Sequence, residues 1–112
     1  MSDCLFCKMV AGEIQPAVVY ETDQILAFRD INPRAPIHVL IIPKRHVATL
    51  DDLDDPALAG ELLLAARQIA RQEEIADSGY RTVVNCRRDA GQEVYHLHVH
   101  VLGGRHMHWP PG

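Results

Sequence analysis

The chain has 112 residues, 47% of them hydrophobic and 23% charged, which fits one globular domain spanning residues 1–112. Eleven Lys and Arg against fifteen Asp and Glu give a net charge of −4, which excludes a general electrostatic attraction to nucleic acid or membrane lipid but leaves room for a small phosphorylated ligand. Neither an 18-residue apolar run nor a basic leader with an apolar core occurs, and three cysteines are a poor basis for a disulfide framework, so a cytoplasmic location is expected.

In chain order, residues 4–10 read as a short helical turn stopped by Ala11-Gly12. Residues 18–20 and 25–28 are short apolar runs around Glu21-Thr22-Asp23-Gln24, a hairpin pattern. Residues 30–36 form a loop with two prolines, and residues 39–42 read as a buried central strand closed by Pro43. Asp55-Pro56 starts the one long helix, with Asp55 as N-cap and Pro56 in the first helical position. Leu58, Leu62, Ala65 and Ile69 give it one apolar face, Arg67, Arg71, Glu73 and Glu74 lie mostly elsewhere as a solvated face, and Ser78-Gly79 stops it. Residues 80–85 read as a strand, 87–93 as a polar loop and 95–102 as a last strand. Sequential hairpins with one long helix argue an α+β fold with a mainly antiparallel sheet covered on one face.

That last strand carries the chemistry. His96, His98 and His100 alternate with Leu97, Val99 and Val101. On a strand the imidazoles would share one face about 6.8 Å apart while the aliphatic residues enter the core. Imidazole titrates near neutrality, so such a row can attack phosphorus, donate hydrogen bonds or bind a catalytic zinc with an open position for water. An incidental polar face is the third reading, and spacing alone does not separate the first two. The preceding loop favours phosphate chemistry: Asn85 offers an amide, and Ala90-Gly91-Gln92 presents backbone N–H groups able to hold phosphate oxygens. Asp30 could accept hydrogen bonds from a ribose diol, or simply cap its loop.

These residues resemble a known family. HLHVHVL matches the signature of the histidine triad superfamily of nucleotide hydrolases and transferases. The tail GGRHMHWPPG, the loop AGQEVYH, the block LAFRDINPRAPIHVLIIPKRH and the opening FCKMVAGEIQPA resemble its Hint branch. The resemblance implies a histidine triad fold: an antiparallel sheet of about five strands, one long and one short helix, and a sheet continued across a homodimer. It implies that His98 is the nucleophile on the α-phosphorus of a purine nucleoside phosphoramidate or an acyl or aminoacyl adenylate. His100 would donate to the phosphoryl oxygens or leaving group, and His38 would support it. Asp30 would bind the ribose, Leu5, Phe6, Met9, Ile14, Phe28 and Ile31 would enclose the base, and Asn85, Gly91, Gln92 and Val94 would line the phosphate end. Two other classes stay open: a zinc-dependent hydrolase with the triad as metal ligands, and a non-catalytic nucleotide-binding or scaffold protein.

Glu93 departs from the pattern, standing where Hint proteins commonly carry Ser. A carboxylate cannot donate to phosphate, so Glu93 is expected to turn outward rather than to recognise a cationic leaving group. Cys4-x-x-Cys7 is half of a tetrahedral zinc site, although two unligated cysteines or a thioredoxin-like pair would read the same way. The resemblance implies His46 as a third ligand, with His96 as the fourth and the zinc structural. Cys86 reads as a small buried or loop residue. In the tail, Trp109-Pro110-Pro111 is stiff and apolar, and the resemblance brings Trp109 near the active site of a partner subunit. His108 resembles the family's residue there, whereas His106 looks particular to this chain.

Overall fold

A computed structural model describes residues 3–112. Its element order is α1 (Leu5–Val10), β1 (Val18–Glu21), β2 (Ile25–Arg29), β3 (Ile37–Pro43), α2 (Pro56–Gln72), β4 (Tyr80–Val83) and β5 (Val99–Gly103), with short 3-10 turns at Leu50–Asp52 and Arg88–Ala90. The five strands form one antiparallel sheet in the order β1-β2-β3-β5-β4. It is the α+β fold expected from the sequence.

The β1–β2 hairpin closes where Thr22 N–H meets the Ile25 carbonyl at 2.9 Å, while the Thr22 hydroxyl oxygen accepts from the Gln24 and Ile25 amides. Period-two alternation then sorts β2, β3 and β5 onto two faces. Ile25, Ala27, Val39, Ile41, Val99 and Val101 pack under α2 with Leu58, Leu62, Ala65 and Ile69. Leu26, Phe28, Leu40 and Ile42 point the other way and pack with Phe6 of α1. His38 and His100 share this second face with Leu40, because Leu40 pairs with His100 and His38 with Leu102 across β3–β5. The sheet is therefore covered along its length by α2 on one side and only in part, by α1, on the side that holds the imidazoles.

The structure corrects three boundaries. The histidine strand does not run over residues 95–102: β5 begins at Val99, so His96 lies in a bend and His98 in the irregular segment that leads into the strand. That lead-in is tied instead to the segment after β3, where Leu97 N–H reaches the Val47 carbonyl at 2.7 Å. β4 ends at Val83 rather than at Asn85. The long helix ends at Gln72, well before Ser78-Gly79. Its Asp55 cap is as expected, the carboxylate accepting from the Ala57 and Leu58 amides at 3.0 and 3.3 Å. At the other end Glu74 takes φ 61°, Glu74 N–H returns to the Arg71 carbonyl and Ile75 N–H to that of Ala70. This is a Schellman ending with glutamate at the position that ordinarily takes glycine. Ile75 is thereby buried against Gly103, where a Cβ would stand 2.5 Å from its Cδ1.

Candidate active site and metal centre

Three imidazoles and a carboxylate meet on the α1 side of the sheet. The His98 and His100 ring centroids are 5.0 Å apart, and those of His38 and His100 are 5.2 Å apart. Backbone groups decide the tautomers. His98 Nδ1 lies 2.7 Å from the carbonyl oxygen of His96, which can only accept, so Nδ1 carries the proton and the Nε2 lone pair is left for chemistry. Arg34 N–H donates to His38 Nδ1 at 3.0 Å, so in the neutral ring the proton sits on Nε2. That Nε2–H faces two acceptors, His100 Nδ1 at 2.9 Å and Asp30 Oδ2 at 3.4 Å. His100 accepts at Nδ1 and so bears its own proton on Nε2. The result is one imidazole with its Nε2 lone pair unprotonated beside another whose Nε2 carries the proton.

Charge follows the same logic. Burial pushes His38 below its ordinary value even though Asp30 pulls it up. His100 falls to about 4, first through burial and then through repulsion from His98 and His38. Both rings are neutral at pH 7. Asp30 also caps its loop, Oδ1 accepting from Asn32 N–H at 2.8 Å. The Arg34 amide that orients His38 is invisible to side-chain reasoning, since any non-proline residue supplies it.

His96 is turned away from this pair. Its Nε2 donates to the Pro43 carbonyl at 2.8 Å, which leaves Nδ1 as the bare nitrogen, 3.3 Å from Cys4 Sγ and 3.5 Å from Cys7 Sγ. Burial holds this ring below its ordinary value too. His46 Nδ1 is 3.3 Å from Cys7 Sγ, and all four ligand atoms lie within 4.8 Å of one another. A tetrahedral zinc with sulfur at 2.3 Å and nitrogen at 2.0–2.1 Å requires sulfur–nitrogen separations of about 3.6 Å. Donor chemistry, spacing and the hydrogen bond on the second ring nitrogen of His96 all fit that ion. The Asp30, His38 and His100 group is also compact enough for a metal, but the amide at His38 Nδ1 keeps the proton on the nitrogen that would have to ligate. Among the described residues the triad does not form one compact ligand group: His96 falls with Cys4, Cys7 and His46, and His100 with Asp30 and His38.

The remaining expected site residues are distributed as follows. Phe6 and Phe28 are buried edge to face at 5.4 Å, and Phe6 meets the His98 ring at 5.2 Å and 87°. Met9 and Val94 are half-buried beside them, Ile14 is half-buried, Leu5 is exposed, and Ile31 is 90% exposed. Asn85 is half-buried and Glu93 is exposed. The expected free donors at Gly91 and Gln92 are engaged: their amides go to the Arg88 and Arg87 carbonyls. The Gln92 side chain is an internal strut, accepting from Arg87 N–H at 2.8 Å and donating to the carbonyls of Ala48 and Val94 at 2.9 and 3.1 Å. Trp109 is 80% exposed, under the Arg81 guanidinium at 5.9 Å. A groove of about 320 Å³ between α2 and β1 is lined by neither His98 nor His100 and offers no comparable chemistry. Among the described residues no helix is long and apolar enough to cross a membrane.

A HIT-domain family model matches residues 11–107. The chain belongs to the histidine triad, or HIT, family. A HIT family hydrolase from Legionella pneumophila superposes with a TM-score of 0.96 at 53% identity, covering 98% of this chain and all of that one. A 14 kDa zinc-binding protein of Zea mays is 46% identical over 124 residues, 99% of this chain and 89% of its own length. The histidine triad nucleotide-binding protein of Candida albicans superposes with a TM-score of 0.84 at 33% identity, covering 96% of this chain and 83% of its own. The fold is thus common to this chain and to proteins described as a HIT family hydrolase and a histidine triad nucleotide-binding protein, and the sequence is similar to that of a zinc-binding protein.

Proposed function

We propose that this HIT protein hydrolyses purine nucleoside 5′-phosphoramidates, or acyl or aminoacyl adenylates, through a nucleotidyl-histidine intermediate. The observation that carries the reading is the His98 tautomer: Nδ1–H is held by the chain's own carbonyl, and Nε2 is bare. Nε2 attacks the α-phosphorus, the Nε2–P bond forms, the P–N or P–O bond breaks, and an amine leaving group takes its proton from solvent. His100 Nε2–H donates to a phosphoryl oxygen or the leaving atom, held in place by His38. Water then attacks phosphorus and loses a proton to solvent, the P–Nε2 bond breaks with its electron pair returning to His98, and the nucleoside monophosphate is released. Asp30 takes the ribose hydroxyls, the Phe6–Phe28 cluster with Met9 takes the base, and Asn85 serves the phosphate end. Being exposed, Glu93 is read as lying outside the phosphate contacts.

Cys4, Cys7, His46 and His96 would hold a structural zinc, which ties α1 to the sheet and takes no part in the chemical steps. The chain is further read as a homodimer. The deciding experiment is mass spectrometry of enzyme quenched during turnover of adenosine 5′-phosphoramidate. An AMP adduct on His98, absent in His98→Ala together with turnover, is the expected result. Near-parental turnover in His98→Ala would refute the covalent route.

A further inference from the structure

We infer that the Cys4, Cys7, His46 and His96 centre is a positioning device for the nucleophile, so that zinc occupancy holds His98 in its reactive tautomer. The inference rests on the reading of His98 as the attacking residue, and its physical basis is that the two sites share His96. The His96 ring is fully buried and fixed at both nitrogens, Nε2 on the Pro43 carbonyl at 2.8 Å and Nδ1 among the sulfurs. Its backbone carbonyl accepts from His98 Nδ1–H at 2.7 Å. A ring anchored at both ends holds its own backbone in place. The acceptor that sets the nucleophile's tautomer is therefore only as steady as the ring that zinc would ligate.

A second route runs through α1. This helix has six residues, too few to persist without outside support. Its N-cap is Cys4, whose sulfur accepts from Cys7 N–H at 3.4 Å, and both candidate thiolate ligands lie at this end. Between them sits Phe6, whose ring stands edge-on to both His98 and His96, at 5.2 and 5.9 Å. An ion bound by both thiolates would lock α1, and with it the ring that walls in the nucleophile. The third route is the segment bearing His46. Leu97 N–H bonds to Val47 and Gln92 Nε2 to Ala48, so the residue before the nucleophile and the preceding loop hang on this ligand's neighbours. Loss of the ion would free one His96 nitrogen, α1 and this segment together. His98 would then sample the Nε2–H form, which cannot attack.

The test uses the full chain under reducing conditions, zinc-loaded and after chelator stripping, with imidazole tautomers read from two-bond proton–nitrogen NMR correlations. Loaded protein should show His98 as Nδ1–H alone. Stripped protein should show mixed tautomers, with kcat on a nucleoside phosphoramidate lower by roughly tenfold and KM within about twofold. A merely structural ion would lower the melting temperature without moving the His98 signals or kcat in protein that is still folded. Unchanged tautomer and kcat in stripped protein, or failure of the reduced chain to bind stoichiometric zinc, would overturn the inference. If stripping unfolds the chain, His46→Gln removes the exposed ligand and keeps the other three. Folded His46→Gln should show partial loss of kcat and a partly mixed His98, and parental values for both would be equally damaging. Failure of the catalytic reading looks different: loaded enzyme would turn over no phosphoramidate or adenylate, yet the zinc-dependent change at His98 would persist.

Discussion

At the scale of single residues, the sequence named the side chains that fold into the two histidine clusters but not what each one touches. The triad, Cys4-x-x-Cys7 and Asp30 were legible because their types and spacings are rare outside such sites. The bracing role of Gln92 is not legible in sequence, since its partners at Ala48 and Arg87 become neighbours only after folding. Gln92→Ala should strand the Arg87 amide and the Ala48 carbonyl and destabilise the protein by about 2–3 kcal/mol, read by urea unfolding. His100 gives a pH prediction. Its folded value of about 4 lies below the ordinary 6.5, so between these values the unfolded chain binds more protons. The contribution of His100 to stability is therefore complete above pH 6.5 and lost as pH falls toward 4, by at most roughly 3 kcal/mol. His38 and His96 shift the same way and add to the slope. His100→Gln should fall less steeply than the parent between pH 7 and pH 4.5 in denaturant titrations. A parallel fall in both proteins would contradict the assignment.

At the scale of elements, patterns set by local geometry were readable and endings set by tertiary contacts were not. The Asp55-Pro56 start of α2 is a local matter of one carboxylate and two amides. Its end is decided by Ile75 fitting over Gly103, nearly thirty residues on, and Glu74 bears the left-handed turn this requires. The histidine alternation likewise survives beyond its strand, because Leu97 and Val99 both enter the α2-side core whether or not a partner strand is paired there. Glu74→Gly should raise stability by about 0.5–1 kcal/mol, relieving the αL cost at a C′ position. Gly103→Ala should do the reverse, since its Cβ would overlap Ile75 and push the end of α2 off the sheet. Thermal unfolding of the two variants against the parent checks both signs, and a neutral Gly103→Ala would mean that this packing is softer than its 2.5 Å approach implies.

At the scale of the molecule, the remaining question is what covers the apolar surface that the fold leaves outside. β4 is an edge strand carrying the half-open Tyr80, and its Arg81 anchors the tail by donating to the His108 carbonyl at 2.9 Å beside Trp109. Leu63 and Leu64 of α2 are 59% and 58% exposed. They are not equivalent, because Leu64 lines the groove facing β1, whereas Leu63, a helical step of about 100° away, does not. A second copy joining through the β4 edge would cover Tyr80, Trp109 and Leu63 together and leave Leu64 in its groove, removing an unpaired strand edge in the process. Sedimentation should then give about 25 kDa, twice the 12.5 kDa of one chain. Leu63→Glu should shift the protein toward monomer, and Leu64→Glu should leave it dimeric. The opposite pattern would move the interface to the β1 edge, and a parent that sediments at 12.5 kDa at about 10 μM would leave the exposed tail without the partner proposed for it.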